Sequence, residues 1–251
     1  MSEVTIKTPD EIEKLREGGR ILAIIMNQLV QAVKPQLKTQ DLEELAKKLM
    51  KEYQVEGSFL DYGKPPYPAV LCTSINEEVV HCIPKGRVIK EGDIIDLDMG
   101  IWHKGLCTDM SRTVLVGKVS KEAKKLVKVT QRALEIAKKQ IKSGKTIGDL
   151  GYAIERYVKK NGFSVVRGLV GHGVGYAVHE PPRIPNYGQK GSGEVFKEGM
   201  VLAIEPMVNS GGYEIEVKDN GWDIVTKDKS LSAHFEDTVV VTKEGCETLT
   251  K

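Results

Sequence analysis

Cysteine is scarce in this chain, and its spacing does not suit a metal site. Cys72, Cys82, Cys107 and Cys246 form no C-x-x-C pair among 251 residues. That excludes a zinc ribbon and a dense disulfide framework, and it fits reduced thiols in a cytoplasmic protein. Long apolar runs are missing too. None approaches the ~20 residues that a membrane-spanning helix needs. Met1 to Asp10 lacks the apolar region of a secretory signal. Nor is there an excess of one charge: Lys and Arg number 37 against 35 Asp and Glu, for a formal net charge of +2. This balance leaves no electrostatic footprint for DNA or a membrane surface. What remains is an ordinary composition, 40% hydrophobic and 29% charged, in a chain long enough for a sizeable core.

The helices are marked by their caps and by apolar spacing. Thr8-Pro9-Asp10-Glu11 opens the first, with Thr8 as cap, Pro9 in the first turn and Glu11 closing a capping box. Ile12, Leu15, Leu22, Met26, Leu29 and Val33 then recur at helical spacing until Pro35. Thr39 starts a second helix with Leu42, Leu45, Ala46, Leu49 and Tyr53 on one face. A Gly/Pro/Tyr-rich loop, Gly57 to Pro68, leads to a β-type stretch from Val70 to Val80, and Pro84 to Gly92 reads as a surface connection. Ser120 caps a third helix carrying Leu126, Val129, Ala133, Ala137 and Ile141. Thr146 opens a fourth, with Leu150, Ala153, Ile154 and Val158 inward. Strands are expected at Phe163 to Val166, Val201 to Ile204 and Ala233 to Val241, with a break or bulge at Pro206 because it has no N–H to donate.

Two separate motifs repeat at one long period. Lys38-Thr39-Gln40-Asp41-Leu42 matches Lys145-Thr146-Ile147-Gly148-Asp149-Leu150, and Lys90 to Met99 matches Lys197 to Pro206. Thr39 to Thr146 and Asp98 to Glu205 are both offsets of 107 residues. The expectation is an α+β fold in one domain, 1–251. Its two pseudo-symmetric halves, about 1–118 and 119–251, each pack helices on a mainly antiparallel sheet. Asp98 and Glu205 meet across the pseudo-twofold axis.

The stretch Asp93 to Gly100 is an apolar strand that carries Asp98 near its end. The chain turns around Trp102-His103-Lys104-Gly105, with His103 read as a turn residue, and Leu106 to Val116 returns with Asp109. A His103-Lys104 loop sets Asp98 opposite Asp109; a Lys104-Gly105 loop makes them diagonal neighbours. Either register puts both carboxylates on one face, because the side-chain period is two. Directly opposed Cβ atoms lie roughly 4.5–5.5 Å apart, where like charges repel, so such a pair needs a cation or a shared proton. The repeat adds Glu205, and Glu236 in His234 to Val240 is the counterpart of Asp109. His172, from a Gly-rich loop, makes a fifth candidate ligand, and His234 is a candidate for a supporting contact. Four carboxylates and one imidazole suit Mn, Fe, Co or Zn. Two such ions roughly 3.5–4 Å apart form a bridged site used for hydrolysis.

The motifs, taken in order, are Thr73-Ser74-Ile75-Asn76-Glu77 through His81, Asp96-Leu97-Asp98, Thr108-Asp109, Gly171-His172-Gly173-Val174-Gly175, His179-Glu180 with Pro182, Ile204-Glu205-Pro206-Met207, and Glu236. Together they resemble the bacterial type I methionine aminopeptidases of the pita-bread metallopeptidase family, over nearly the whole chain. The resemblance implies two divalent ions on Asp98, Asp109, His172, Glu205 and Glu236. It implies that His81 and His179 line the site without binding metal, and that Glu205 also shuttles a proton. It implies a methionine slot from Tyr62, Tyr67, Cys72, Val178 and Trp222, with Phe59 nearby. Two departures fall in that slot. Val178 stands where an aromatic often precedes the motif histidine, and Tyr62 and Tyr67 are more widely separated than in some relatives. The implied activity is removal of the N-terminal methionine of nascent chains when the second residue is small. A cytoplasmic monomer in transient contact with the ribosome is expected. Proline-directed peptidases share the fold and ligands and are the alternative.

Overall fold

The computed structural model describes residues 3–251; Met1 and Ser2 lie outside the described residues. Helices α1 (Pro9–Ala32) and α2 (Thr39–Tyr53) come first, followed by short strands β1 (Glu56–Gly57), β2 (Cys72–Ile75) and β3 (Glu78–Val80). The hairpin β4 (Ile94–His103) and β5 (Leu106–Leu115) follows, then helices α3 (Lys121–Lys138) and α4 (Ile147–Lys160). The remaining strands are β6 (Ser164–Val165), β7 (Gly171–Gly173), β8 (Glu180–Ile184), β9 (Val201–Ile204), β10 (Met207–Asn209), β11 (Ile215–Val217), β12 (Ile224–Thr226), β13 (Ser232–Val241) and β14 (Cys246–Thr248).

The helix starts are where the caps place them. Thr8 and Glu11 form a reciprocal capping box, Ser120 Oγ accepts from Ala123 N at 3.0 Å, and Thr146 pairs with Asp149 in a second box. The β-type stretch from Val70 to Val80 differs from expectation. It splits into β2 and β3 because Asn76 takes a left-handed φ of +59° and turns the chain. The strands β1, β7, β8, β10, β11, β12 and β14 were not foreseen.

The hairpin turns on Lys104 and Gly105, with φ of +50° and +78°. Two consecutive positive φ values match the twist of the flanking strands. Pairing therefore runs His103 to Leu106, Gly100 to Asp109 and Asp98 to Ser111. Asp98 and Asp109 are diagonal neighbours on one face. The main sheet runs β1-β4-β5-β13-β9-β7-β8, and β5 meets β13 at its centre with Glu236 opposite Ser111. Strand alternation then separates core from site. Ile95, Leu97, Met99 and Ile101 face the α1–α2 layer, and Ala233, Phe235, Val239 and Val241 face α3 and α4. The intervening positions, Asp96, Asp98, Asp109, His234 and Glu236, share the opposite face.

The repeat is visible in the hydrogen bonds. Ile89 N donates to Leu37 O, and Phe196 N to Lys145 O; Thr39 N donates to Arg87 O, and Ile147 N to Glu194 O. Each half thus ties the start of its second helix to the segment leading into its ligand-bearing strand.

Candidate active site

A cavity of about 110 Å³ opens on the polar face of the sheet. Asp98 reaches it from β4, Asp109 from β5, His172 from β7, Glu205 from the end of β9 and Glu236 from β13. Ligand atoms of Asp109, His172 and Glu236 lie within 4.8 Å of one another. Three carboxylate oxygens, Asp98 Oδ1, Asp109 Oδ1 and Glu236 Oε1, are buried without a hydrogen-bond partner among the described residues. Buried polar groups are nearly always paired, so converging orphaned oxygens are the signature of a cation site.

The electrostatics agree. Burial pushes the Asp109 carboxyl up to about 7. Burial, and then neighbouring carboxylates, raise Asp98, Glu205 and Glu236 well above the usual carboxylate range. Such a cluster holds protons unless a cation replaces them. His172 Nε2 lies 3.3 Å from Glu205 Oε1, yet burial and the adjacent His179 hold its pKa down to about 3. The contact is therefore that of a neutral imidazole and not an ion pair. His172 Nδ1 donates to Gly173 O at 2.9 Å, which leaves the Nε2 lone pair free for a metal. The donor set of oxygens with one imidazole fits a divalent first-row ion.

The flanking side chains are held in turn. Thr238 Oγ1 accepts from Asp109 N at 2.9 Å and donates to Asp109 O at 2.7 Å. Asn186 Nδ2 donates to Glu205 O at 2.9 Å. His234 Nδ1 sits 3.2 Å from Asp96 Oδ2, and its Nε2 lies 3.7 Å from Glu205 Oε2.

An aromatic slot adjoins the carboxylates. Tyr67 is fixed by its hydroxyl, which donates to Leu71 O at 3.1 Å, and packs edge-on to Trp222 with centroids 5.1 Å apart. Trp222 Nε1 donates to Pro65 O at 3.0 Å. Phe59 and Cys72 complete the lining. His81, at a left-handed φ of +60°, points its ring toward Trp222 at 6.2 Å. A histidine in that region is uncommon and marks a constrained position. His179 stands at the mouth, 4.3 Å from the His172 ring, with Nδ1 2.6 Å from the Tyr62 hydroxyl.

Val178 is a correction. It does not line the cavity but is buried with Leu15, Cys107, Val174 and Val201, because the chain turns it away from the side that His179 faces. Four lining residues were not expected at the site: Val80, Leu169, Val170 and Met207; His234, a candidate for a supporting contact, also lines it. For His234 the period-two spacing from Glu236 was a usable signal. Leu169 and Val170 immediately precede the Gly-rich His172 loop, and Met207 follows Glu205-Pro206. A second, open groove of about 1090 Å³ shares Leu169, Val170, His172 and His179 with the first and runs past Pro181, Pro182 and Tyr187.

The fold and this cluster define a metallopeptidase: the model of metallopeptidase family M24 matches residues 13–243, and the chain belongs to that family. Within it, the chain is 45% identical to the methionine aminopeptidase of Clostridium acetobutylicum, covering 98% of each. The crystal structure of the Thermotoga maritima methionine aminopeptidase superposes with a TM-score of 0.97, at 43% identity, covering 99% of this chain and 100% of that one. A prolidase from Pyrococcus furiosus has a TM-score of 0.76 at 25% identity, and this chain covers 65% of it. The α+β pita-bread expectation holds.

Proposed function

We propose that Asp98, Asp109, His172, Glu205 and Glu236 hold two divalent ions, drawn from Co, Mn, Fe or Zn, in the cavity. The chain is a metallo-aminopeptidase that removes the N-terminal methionine from peptides and proteins. The observation that carries the site assignment is the convergence of Asp109, His172 and Glu236, with Asp98 and Glu205 lining the same cavity and three carboxylate oxygens unpartnered. When bound, such ions supply Lewis acidity at the scissile carbonyl and a nucleophilic water at neutral pH.

The chain's own groups do the rest. We assign the Tyr62 hydroxyl as the donor to His179 Nδ1, 2.6 Å away, which leaves the ring proton on Nε2. Burial keeps that ring neutral by lowering its pKa, so His179 donates a hydrogen bond to the carbonyl oxygen as charge develops there. His81, also neutral because burial holds it down to about 4, contacts the scissile amide and the leaving nitrogen. Glu205 carries a proton from the attacking water to the leaving amine. Phe59, Tyr62, Tyr67, Cys72 and Trp222 form a slot for an unbranched thioether, to which sulfur and aromatic edges are well matched. The rest of the peptide runs along the groove past Pro182 and Tyr187 with its second residue close to His179, and the family resemblance implies that this residue is small.

All four cysteines are free, and no described helix is long and apolar enough to cross a membrane. Both features fit the cytoplasmic setting that the family resemblance implies, and with it we propose a monomer acting on nascent chains near the ribosome. A peptide panel tests the specificity. Met-Ala, Met-Gly and Met-Ser substrates are cut, and Met-Lys and Met-Phe scarcely at all. Discrimination per misplaced methylene is roughly 1–3 kcal/mol. Efficient removal of Val or Leu, or a preference for second-position Pro, would overturn this reading in favour of a broader or proline-directed peptidase.

A further inference from the structure

The loop that carries His179 is held by the N-terminal segment, through a buried ion pair outside the cavity. The Lys7 side chain is 0% exposed and its Nζ lies 2.7 Å from Glu180 Oε2, next in sequence to His179. Thr5 Oγ1 donates to the same oxygen at 2.5 Å, and Lys7 Nζ also reaches Thr5 Oγ1. Glu180 Oε1 accepts from Ala177 N at 3.1 Å and from Tyr176 N. The carboxylate therefore closes the Tyr176–Glu180 turn on one side and takes the ammonium on the other. Lys7 N donates to Gly199 O at 2.9 Å, in the turn that leads into β9 and Glu205. A Cβ on Gly175, which has a φ of +139°, would stand 2.5 Å from Lys7 Cε, so glycine is what lets the lysine stem pass.

We propose that Lys7 is a positioning residue for His179: its ammonium on Glu180 fixes the 175–180 turn, and so the place of the His179 ring over the cavity. The inference rests on the role of His179 given above. A buried ion pair is a poor source of net stability, because desolvation offsets most of the Coulombic gain. Its use is geometric. Lys7 bridges the turn beside His179 and the turn before Glu205, two groups that must act on one substrate. Without the ammonium, Glu180 is a buried carboxylate with no cation, and the turn relaxes to solvate it. A shift of about 1 Å in a reacting group costs on the order of 10²-fold in rate.

The test is a double-mutant cycle on metal-loaded enzyme with a Met-Ala peptide. Lys7→Met, which keeps the apolar stem, is expected to lower kcat by about 10- to 100-fold with KM and metal content little changed. In a His179→Ala background the same change is expected to cost nothing further, since coupled residues are not additive. Thr5→Val, which removes one hydroxyl from the contact, gives a smaller loss with the same non-additivity and serves if Lys7→Met does not fold. An unchanged kcat in Lys7→Met, or an equal fractional loss with and without His179, overturns the proposal while leaving the role of His179 intact. Full turnover in His179→Ala overturns that role and this inference with it.

Discussion

At the scale of single residues, the site divides into groups that hold charge and groups that direct it. Asp98 has an unpartnered buried oxygen, and its neighbours are carboxylates. Asp98→Asn keeps the shape and removes a charge that the cations need. It is expected to abolish turnover and lower metal content while leaving far-ultraviolet circular dichroism unchanged; near-normal turnover at full occupancy would sink the ligand assignment. His179 is held by Tyr62 at the mouth of the cavity. His179→Ala is expected to keep its metal and lose about 2.7–4 kcal/mol of transition-state stabilisation, read as a fall in kcat. Metal lost in parallel would make His179 a ligand instead. The carboxylates were legible in the sequence because period-two alternation and the repeat both point to them. The aromatic slot was legible only by resemblance, since Phe59, Tyr62 and Trp222 come from loops with no periodicity. The wrong reading of Val178 has the same origin: a loop gives no rule for which way consecutive side chains face.

At the scale of elements, the β4–β5 hairpin shows how one turn sets a site. Choosing Lys104–Gly105 over His103–Lys104 moves the pairing so that Gly100, not Asp98, faces Asp109. The sequence allowed both registers; the positive φ of Gly105, with His103 kept in the strand and paired to Leu106, decides between them. The outcome spares the two aspartates a direct confrontation and leaves a glycine beside Asp109. Ser58 and Phe59 pack into that space: a Cβ on Gly100 would meet Ser58 Oγ at 2.2 Å and Phe59 Cε1 at 3.2 Å. Gly100→Ala is therefore expected to cost about 1–3 kcal/mol by overpacking, a drop in Tm of several degrees. Adding Ser58→Ala, which deletes the clashing hydroxyl, should recover part of it. Equal Tm values for Gly100→Ala with and without Ser58→Ala would refute this packing account. The helices were legible because their capping residues act locally. The short strands β7, β8, β11 and β12 were not, because at three to five residues they are too short to show a period of two.

At the scale of the whole molecule, two similar halves bring acidic residues to one buried place, and that has a cost without metal. Asp109 is raised to about 7, and Asp98, Glu205 and Glu236 rise well above the usual range, with burial the leading cause. In the metal-free protein these groups hold protons that the unfolded chain has already lost above pH of about 4. The folded state then binds more protons, so its stability falls as pH rises through that window. His172 and His81, held down to about 3 and about 4, give the opposite slope, since the unfolded chain takes up protons that they refuse. That slope ends near the ordinary histidine value of about 6.5. Above it the carboxylates are the groups of the cavity that set the slope. The Tm of chelator-treated protein is therefore expected to fall between pH 6.5 and pH 8. Saturating Mn should raise Tm and flatten the slope, because the cations replace the protons and bind only the folded state; at 100 times Kd the linkage is worth about 2.7 kcal/mol. Calorimetry with and without Mn across that range decides the matter. A metal-free Tm that is flat or rising from pH 6.5 to pH 8 would mean that the four carboxylates ionise together without a cation, and the metal assignment would lose its electrostatic basis.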